Sequence, residues 1–299
     1  MTSAEVAPAD PPFAGGRYRL AMGLVPIDEA AWIETDTELA AELAAKRALL
    51  ESRHAEVFQA LPLAAAAAHE LLRVLAANLA RHHAACFALA SDRLVNKVTG
   101  EAWNIASPSP HPLDVAGRLV TEDFCLMERA GGQYILTGAA LCAPSRWRLA
   151  EKIGRPASAI HAPVPGYPET LGRAVEHFFA ALKPQTLVSR VNWGITDEPA
   201  PFQPVAGPPN PAVTTANAGE TLWQRVERQT LRRLPATEAI VFTIRTRITR
   251  LDQAIRSAAL ARDLAAALRD MSPEMQAYKR ITPFTSALLG WLEARARAE

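Results

Sequence analysis

The chain has 299 residues, 49% of them apolar and 21% charged, with a formal net charge of +1. That length holds one large domain or two small ones around a substantial core. A near-neutral balance, with arginines interspersed among acids, excludes a global field for nucleic acid or for an anionic membrane.

Residues 1–17, opening "MTSAEVAPADPPFAGG", have neither a basic n-region nor an apolar h-region, so they read as a disordered leader rather than a signal peptide. Residues 35–58 are expected to be helical. Thr35 and Glu38 make a capping box there, and Leu39, Leu43, Leu50 and Val57 recur at helical spacing. Pro62 starts a second, alanine-rich helix that runs to about Ala85. Residues 18–106 are therefore read as an N-terminal helical layer. Its longest apolar run, residues 61–68, is too short to span a bilayer. The segment "SPSPHPLD", residues 107–114, is a proline-rich linker and a boundary.

Beyond the linker the texture changes. "RLVTEDFCLMER" and "QYILTGAALCAP" are strand-like runs separated by Gly131-Gly132, a hairpin signal. "SRWRLAEKIG" is a short helix ended by Gly154. "AIHAPVPGYPET" follows, and then a helix over residues 168–182 with Pro168 in its first turn. "TLVSRVNWGITD" is a strand, residues 199–219 form a long Pro/Gly loop, and "ETLWQRVERQTLRRLP" reads as a helix stopped by Pro235. "EAIVFTIRTRIT" is a further strand, and the remainder is helical. This order predicts an α+β fold built on a largely antiparallel sheet, with a core over residues 115–250 and C-terminal helices over 251–299. No GxGxxG or Walker-type loop occurs.

Three distant cysteines, Cys86, Cys125 and Cys142, fit no disulfide framework and predict a reducing, cytoplasmic compartment. Of seven histidines, His82 and His83 are neighbours on a helix, pointing about 100° apart, and cannot chelate one ion well. His161 precedes Pro163, Pro165 and Pro168, which stiffen the backbone. No second ligand lies at chelating spacing, so a mononuclear zinc site is poorly supported. The spacing itself favours a capping or buried structural histidine. A single axial haem ligand is the functional alternative, since it needs no companion. Cys142 is the other residue of axial-ligand type, and a buried, inert thiol is the usual outcome for such a position.

Glu227 falls on the apolar stripe of its predicted helix, so it must be ion-paired with a sheet arginine or bind a protonated amine. On "VSRVNWGI" alternation puts Arg190 and Asn192 on one face and Val191, Trp193 and Ile195 on the other. One face is core. The other lines a pocket or meets solvent, and Arg245 raises the same choice.

The strings "LVTEDFCLMER", "GAALCAPSRWRLAEKIGRP", "AIHAPVPGY", "RVNW", "RVERQTLRRLP" and "VFTIRT", in this order over residues 18–292, resemble the haem-dependent oxidative N-demethylase alpha subunit family. The resemblance implies a PAS-like haem-binding fold with haem-binding helices. It implies haem b, dioxygen and a small secondary amine of the dimethylamine type, with formaldehyde and a primary amine as products. Electrons would come from NADPH through a flavin and iron–sulfur partner, as nothing in this chain resembles an NADPH or flavin site, and a folate-binding subunit would accompany them. His161 lies within the shared strings and is the implied axial ligand, with His177 the nearest rival. Arg190 and Arg245 are implied to polarise dioxygen or pair with propionates, and Arg146 and Arg148 to hold propionates. Glu227 would hold an alkylammonium with Asn192, and Trp193 would add cation–π contact. Ala143 stands where the family's string has an aromatic, which changes pocket volume. The rival expectations are a haem-based gas sensor or haem-binding protein without turnover, and a structural protein that has lost haem.

Overall fold

The structure is a computed structural model that describes residues 11–297. Residues 1–10 of the expected leader lie outside the described residues. Residues 11–17 are tied down: Phe13 is buried, and the Gly15 N–H donates to Asp263 at 3.0 Å.

The N-terminal half runs β1 (Val25–Pro26), α1 (Leu39–Ser52), α2 (His54–Val57), β2 (Phe58–Ala60), α3 (Ala65–His82), β3 (Phe87–Ala90), β4 (Arg93–Asn96), β5 (Ala102–Asn104) and α4 (Pro112–Leu119). The expected capping box does not form. α1 begins with Glu38 at its N-cap position and no side-chain cap, and the Thr35 hydroxyl meets His83 Nδ1 instead, at 3.0 Å. The 21 residues Pro62–His82 are long and apolar enough to cross a membrane. Here their apolar stripe of Leu71, Leu72, Leu75 and Leu79 is core. The expected helical layer also contains a separate three-stranded sheet, β3-β4-β5. The proline-rich boundary serves as a helix start, where His111 Nδ1 accepts the Leu113 N–H of α4 at 3.2 Å.

The rest of the chain runs β6 (Asp123–Ala130), β7 (Gln133–Ala140), α5 (Ala157–Ile160), α6 (Arg173–Ala181), β8 (Leu187–Thr196), α7 (Ala218–Thr221), β9 (Trp223–Arg233), β10 (Ile240–Arg250), α8 (Leu251–Ala254), α9 (Ala258–Asp270), α10 (Pro273–Tyr278) and α11 (Thr285–Arg297). Gly131 and Gly132, both with positive φ, make the tight turn of the β6–β7 hairpin. The large sheet has the order β1-β8-β9-β10-β6-β7-β2, with every pairing antiparallel.

One expectation is overturned here: residues 223–233 form a strand, not a helix. β9 is paired along its length to β8 on one side and β10 on the other. Its Arg, Gln and Glu side chains favour helix intrinsically, but two complete ladders outweigh that preference. Ion pairs form on both of its faces, and Arg233 is held by the carbonyls of Leu182 and Glu238. Arg228 and Arg232 pair with Glu34 and Glu29 of the N-terminal segment, and Arg225 pairs with Glu227 on the other side.

The register divides the sheet's side chains cleanly. Leu187, Val241, Phe124 and Leu126 point into a core shared with α3 and α4. Val188, Leu231, Cys125 and Ile244 point the other way, into a core closed by residues 147–182, including Ile160, Phe178 and Phe179. A third core joins Trp193 and Ile195, at the end of β8, to α9 and α11.

Candidate functional site

The second of these faces turns from apolar to polar along the strands. Val188 sits opposite Leu231, and Leu231 opposite Phe242. One row further, Arg190 sits opposite Gln229, and Gln229 opposite Ile244. The next row pairs Asn192 with Glu227. β9 being a strand therefore brings Glu227 beside Asn192 and onto the face that carries Arg190.

Glu227 is held from three directions. It accepts from Asn192 Nδ2 at 3.2 Å, Gln229 Nε2 at 3.1 Å and Arg225 Nε at 3.1 Å. Arg225 is 5% exposed and also donates to the carbonyls of Pro201 and Ala143. The expected sheet arginine is thus present, two residues away on the same strand.

Lys279, which sequence reasoning missed, closes the group. It follows α10, and its Nζ donates to the Trp193 carbonyl at 2.6 Å and to Asn192 Oδ1 at 3.4 Å. Burial pushes its pKa down to about 8; the nearby Glu227 charge opposes this and the Arg190 charge adds to it. Its only sequence signal is a lysine in "AYKRITPF", since its partners come from β8.

Arg190 has no hydrogen-bond or ion-pair partner among the described residues, and its Nε is fully buried. Burial lowers its pKa, with Glu227, Tyr18 and Tyr167 opposing.

His161 stands at the C-terminal end of α5. Its backbone N–H closes the helix onto the Ala157 carbonyl at 3.1 Å, and its ring Nδ1 lies 2.8 Å from the same oxygen. A carbonyl only accepts, so Nδ1 carries the proton and Nε2 keeps its lone pair. The prolines and Gly166 then turn the chain back. Val164 and Tyr167 close successive turns on His161 and Val164, and Gly166 takes φ +74. The return stacks the buried Tyr167 ring on the imidazole, centroids 4.7 Å apart and planes 13° apart. The imidazole is exposed by surface area, yet its pKa is lowered, first by desolvation and then by the Lys152 and Arg190 charges. Part of the ring meets solvent, while the neighbouring protein and the two cations disfavour its protonated form. Lys152 braces that turn by donating to the Ile160 carbonyl at 3.1 Å.

The remaining expected residues lie elsewhere. Arg245 is on the opposite face of the sheet, 3% exposed and paired with Asp36 and Glu42. Trp193 also points to that opposite face, packed on Phe13 and Tyr18 at 5.5 and 6.3 Å; its carbonyl accepts from Lys279, and its ring lies 5.8 Å from the Lys279 ammonium. Arg146 bonds Asp197 and Thr196 at 3.2 and 3.1 Å and lines a separate cavity of about 210 Å³ with Arg280 and Asn210. Arg148 is exposed at the start of a 3-10 turn. His177 is exposed on α6. Cys142 is buried beside Leu50 and Val57, and burial pushes its thiol up to about 12, so it supplies no thiolate at neutral pH. Arg190, Asn192 and Glu227 are brought to one face, with His161 within electrostatic reach of Arg190; Trp193 touches the group only through Lys279, and Arg146, Arg148 and Arg245 lie apart from it.

A haem needs a neutral imidazole nitrogen with its second nitrogen anchored, an apolar wall and a counter-charge for propionate or bound dioxygen. His161 Nε2 and the unpaired Arg190 match that donor set in kind; the apolar Val188–Leu231–Phe242 row has the right chemistry for the wall and is packed against residues 147–182 in this structure. A family model described as haem-dependent oxidative N-demethylase, alpha subunit-like, matches residues 23–289.

Proposed function

The chain belongs to the haem-dependent oxidative N-demethylase alpha-subunit-like family, and from that premise we propose that it binds haem b through His161 and oxidatively removes a methyl group from a small secondary amine. The observation that carries this reading is the Nδ1 bond to the Ala157 carbonyl, which leaves Nε2 free to bind iron, with the Arg190 charge nearby. The chain order supports a PAS-like core: a hairpin, helical segments bearing the ligand, then three strands.

Bound haem supplies dioxygen activation and one-electron chemistry. The chain's own residues supply position and charge. Ala157 fixes the tautomer and angle of His161, and the Tyr167 stack restricts rotation of the ring. Arg190 offers donors to an oxygen atom or to a propionate. Glu227, fixed by Asn192, Gln229 and Arg225, accepts an N–H of the amine and orients its methyl carbon. For dimethylamine, dioxygen with two electrons and two protons gives methylamine, formaldehyde and water. One oxygen atom ends in formaldehyde and the other in water. The electrons come from a flavin and iron–sulfur reductase partner fed by NADPH, with a folate-binding subunit as a further partner and the cytoplasm as the compartment. A gas sensor has no use for the oriented carboxylate, and Glu227 is what favours turnover over sensing.

The test is formaldehyde release from ferrous, haem-loaded protein supplied with dioxygen and dimethylamine, measured against haem without protein. Product above that control is expected. No product with any small secondary amine overturns the enzyme reading.

A further inference from the structure

The polar end of this sheet face carries more positive charge than its carboxylate neutralises. Glu227 already accepts three hydrogen bonds, leaving about one acceptor position of its usual four. Its charge is matched by Arg225. Lys279 forms no ion pair among the described residues: its Nζ donates to a carbonyl and an amide oxygen and lies over the Tyr18 and Trp193 rings, 5.7 and 5.8 Å from their centroids, with one N–H outside those two hydrogen bonds. Arg190 has no partner for any of its donors among the described residues. Arg190 and Lys279 are within electrostatic reach of each other and of the same carboxylate. The Tyr18 phenol, also near Arg190, is held protonated by burial and so brings no negative charge to offset the two cations. Arg190 is half-buried with its Nε fully so; a guanidinium partly withdrawn from water favours a counter-ion, and a small dialkylammonium arriving alone would raise the local positive charge further.

We propose that Arg190 and Lys279 form a carboxylate niche, and that the substrate is a zwitterion, an N-methylated α-amino acid, with its carboxylate in that niche and its secondary nitrogen on Glu227. This rests on the demethylase reading of the same residues and narrows its substrate class. The geometry agrees in scale. Arg190 and Glu227 occupy successive same-face rows of antiparallel strands, about 7 Å apart at the backbone. That spacing suits a carboxylate and an amine separated by one carbon, each with its own hydrogen bond. A second source of carboxylate is a haem propionate, and the experiment must separate the two.

The test is calorimetric titration of the full chain, haem-loaded and haem-free, with N-methylglycine, dimethylamine and acetate at pH 7. The niche predicts that N-methylglycine binds at least tenfold tighter than dimethylamine, and that acetate raises its apparent Kd. Arg190→Gln should bring the ratio of the two Kd values near one, and Arg190→Lys should retain part of the preference. Equal or weaker binding of N-methylglycine, with dimethylamine binding intact, overturns the niche and leaves the demethylase reading standing. Loss of haem retention in Arg190→Gln with the ratio unchanged assigns Arg190 to a propionate and also overturns it. Preferential binding of N-methylglycine without formaldehyde supports the niche and removes the demethylase reading. No binding of either amine removes both. If Arg190→Gln does not fold, acetate competition on the unaltered protein decides alone, and its absence overturns the niche.

Discussion

Replacing Lys279 by methionine should abolish a rise in stability that the unaltered protein shows between about pH 8 and pH 10.5. Burial pushes the Lys279 ammonium down to about 8 in the folded chain, from 10.5 when it is free. Between those values the unfolded chain holds the proton and the folded chain has released it. The unfolded state then binds more protons, and stability increases with pH. A span of about 2.5 pH units, at about 1.36 kcal/mol per unit, corresponds to a gain of about 3 kcal/mol, complete above pH 10.5 and absent below pH 8. Methionine keeps most of the apolar stem and removes the titration. It also leaves the Trp193 carbonyl and Asn192 Oδ1 without their donor, which costs about 1–3 kcal/mol at every pH and so shifts the curve without tilting it. The assay is urea unfolding of both proteins from pH 7 to pH 10.5. The difference between them cancels shared titrations such as that of Tyr18. A difference that widens by about 3 kcal/mol supports the buried ammonium; a difference independent of pH refutes it.

Glu227→Gln removes the charge that holds Arg225 and should cost about 1.5–3 kcal/mol in chemical unfolding, with loss of amine binding by calorimetry; unchanged stability would contradict the pairing. Arg245→Met should destabilise by about 2 kcal/mol, since its partners Asp36 and Glu42 are about one-third exposed, while the haem spectrum stays the same; an altered Soret band would contradict its placement behind the sheet. Gly219→Ala should cost about 1–3 kcal/mol, because an added Cβ would stand 2.5 Å from the Trp291 ring. Its amine affinity should be unaffected, so a thermal shift without a binding change is the expected pattern.

The hairpin, β8, β10 and the helix after Pro168 were legible because each carries a strong local signal. Gly131-Gly132 demands a tight turn, and the alternation along β10 admits only a strand. β9 was illegible for a physical reason. Burial on both faces by ion pairs removes the apolar alternation that marks a strand, and Arg, Gln and Glu then mimic a helix surface. That misreading hid the row that joins Asn192 to Glu227. Strands β3 to β5 are three or four residues long and offer too little pattern to stand out beside the alanine-rich helix. At the site, His161 and Arg190 were visible as candidates, but their relation was not, because strand pairing and the turn at Gly166 set it. Arg245 looked equivalent to Arg190 until register placed them on opposite faces. Lys279 had no local signal, since its desolvation comes from packing against β8, 86 or 87 residues away in sequence.

The most direct test of the account is the absorption spectrum of the protein reconstituted with haem, compared with His161→Ala. A Soret band from one tightly held haem per chain is expected for the unaltered protein. In His161→Ala that band should be lost or shifted, and added imidazole should restore it by supplying the missing nitrogen. An identical spectrum and haem affinity in the two proteins would contradict the assignment of His161 as ligand.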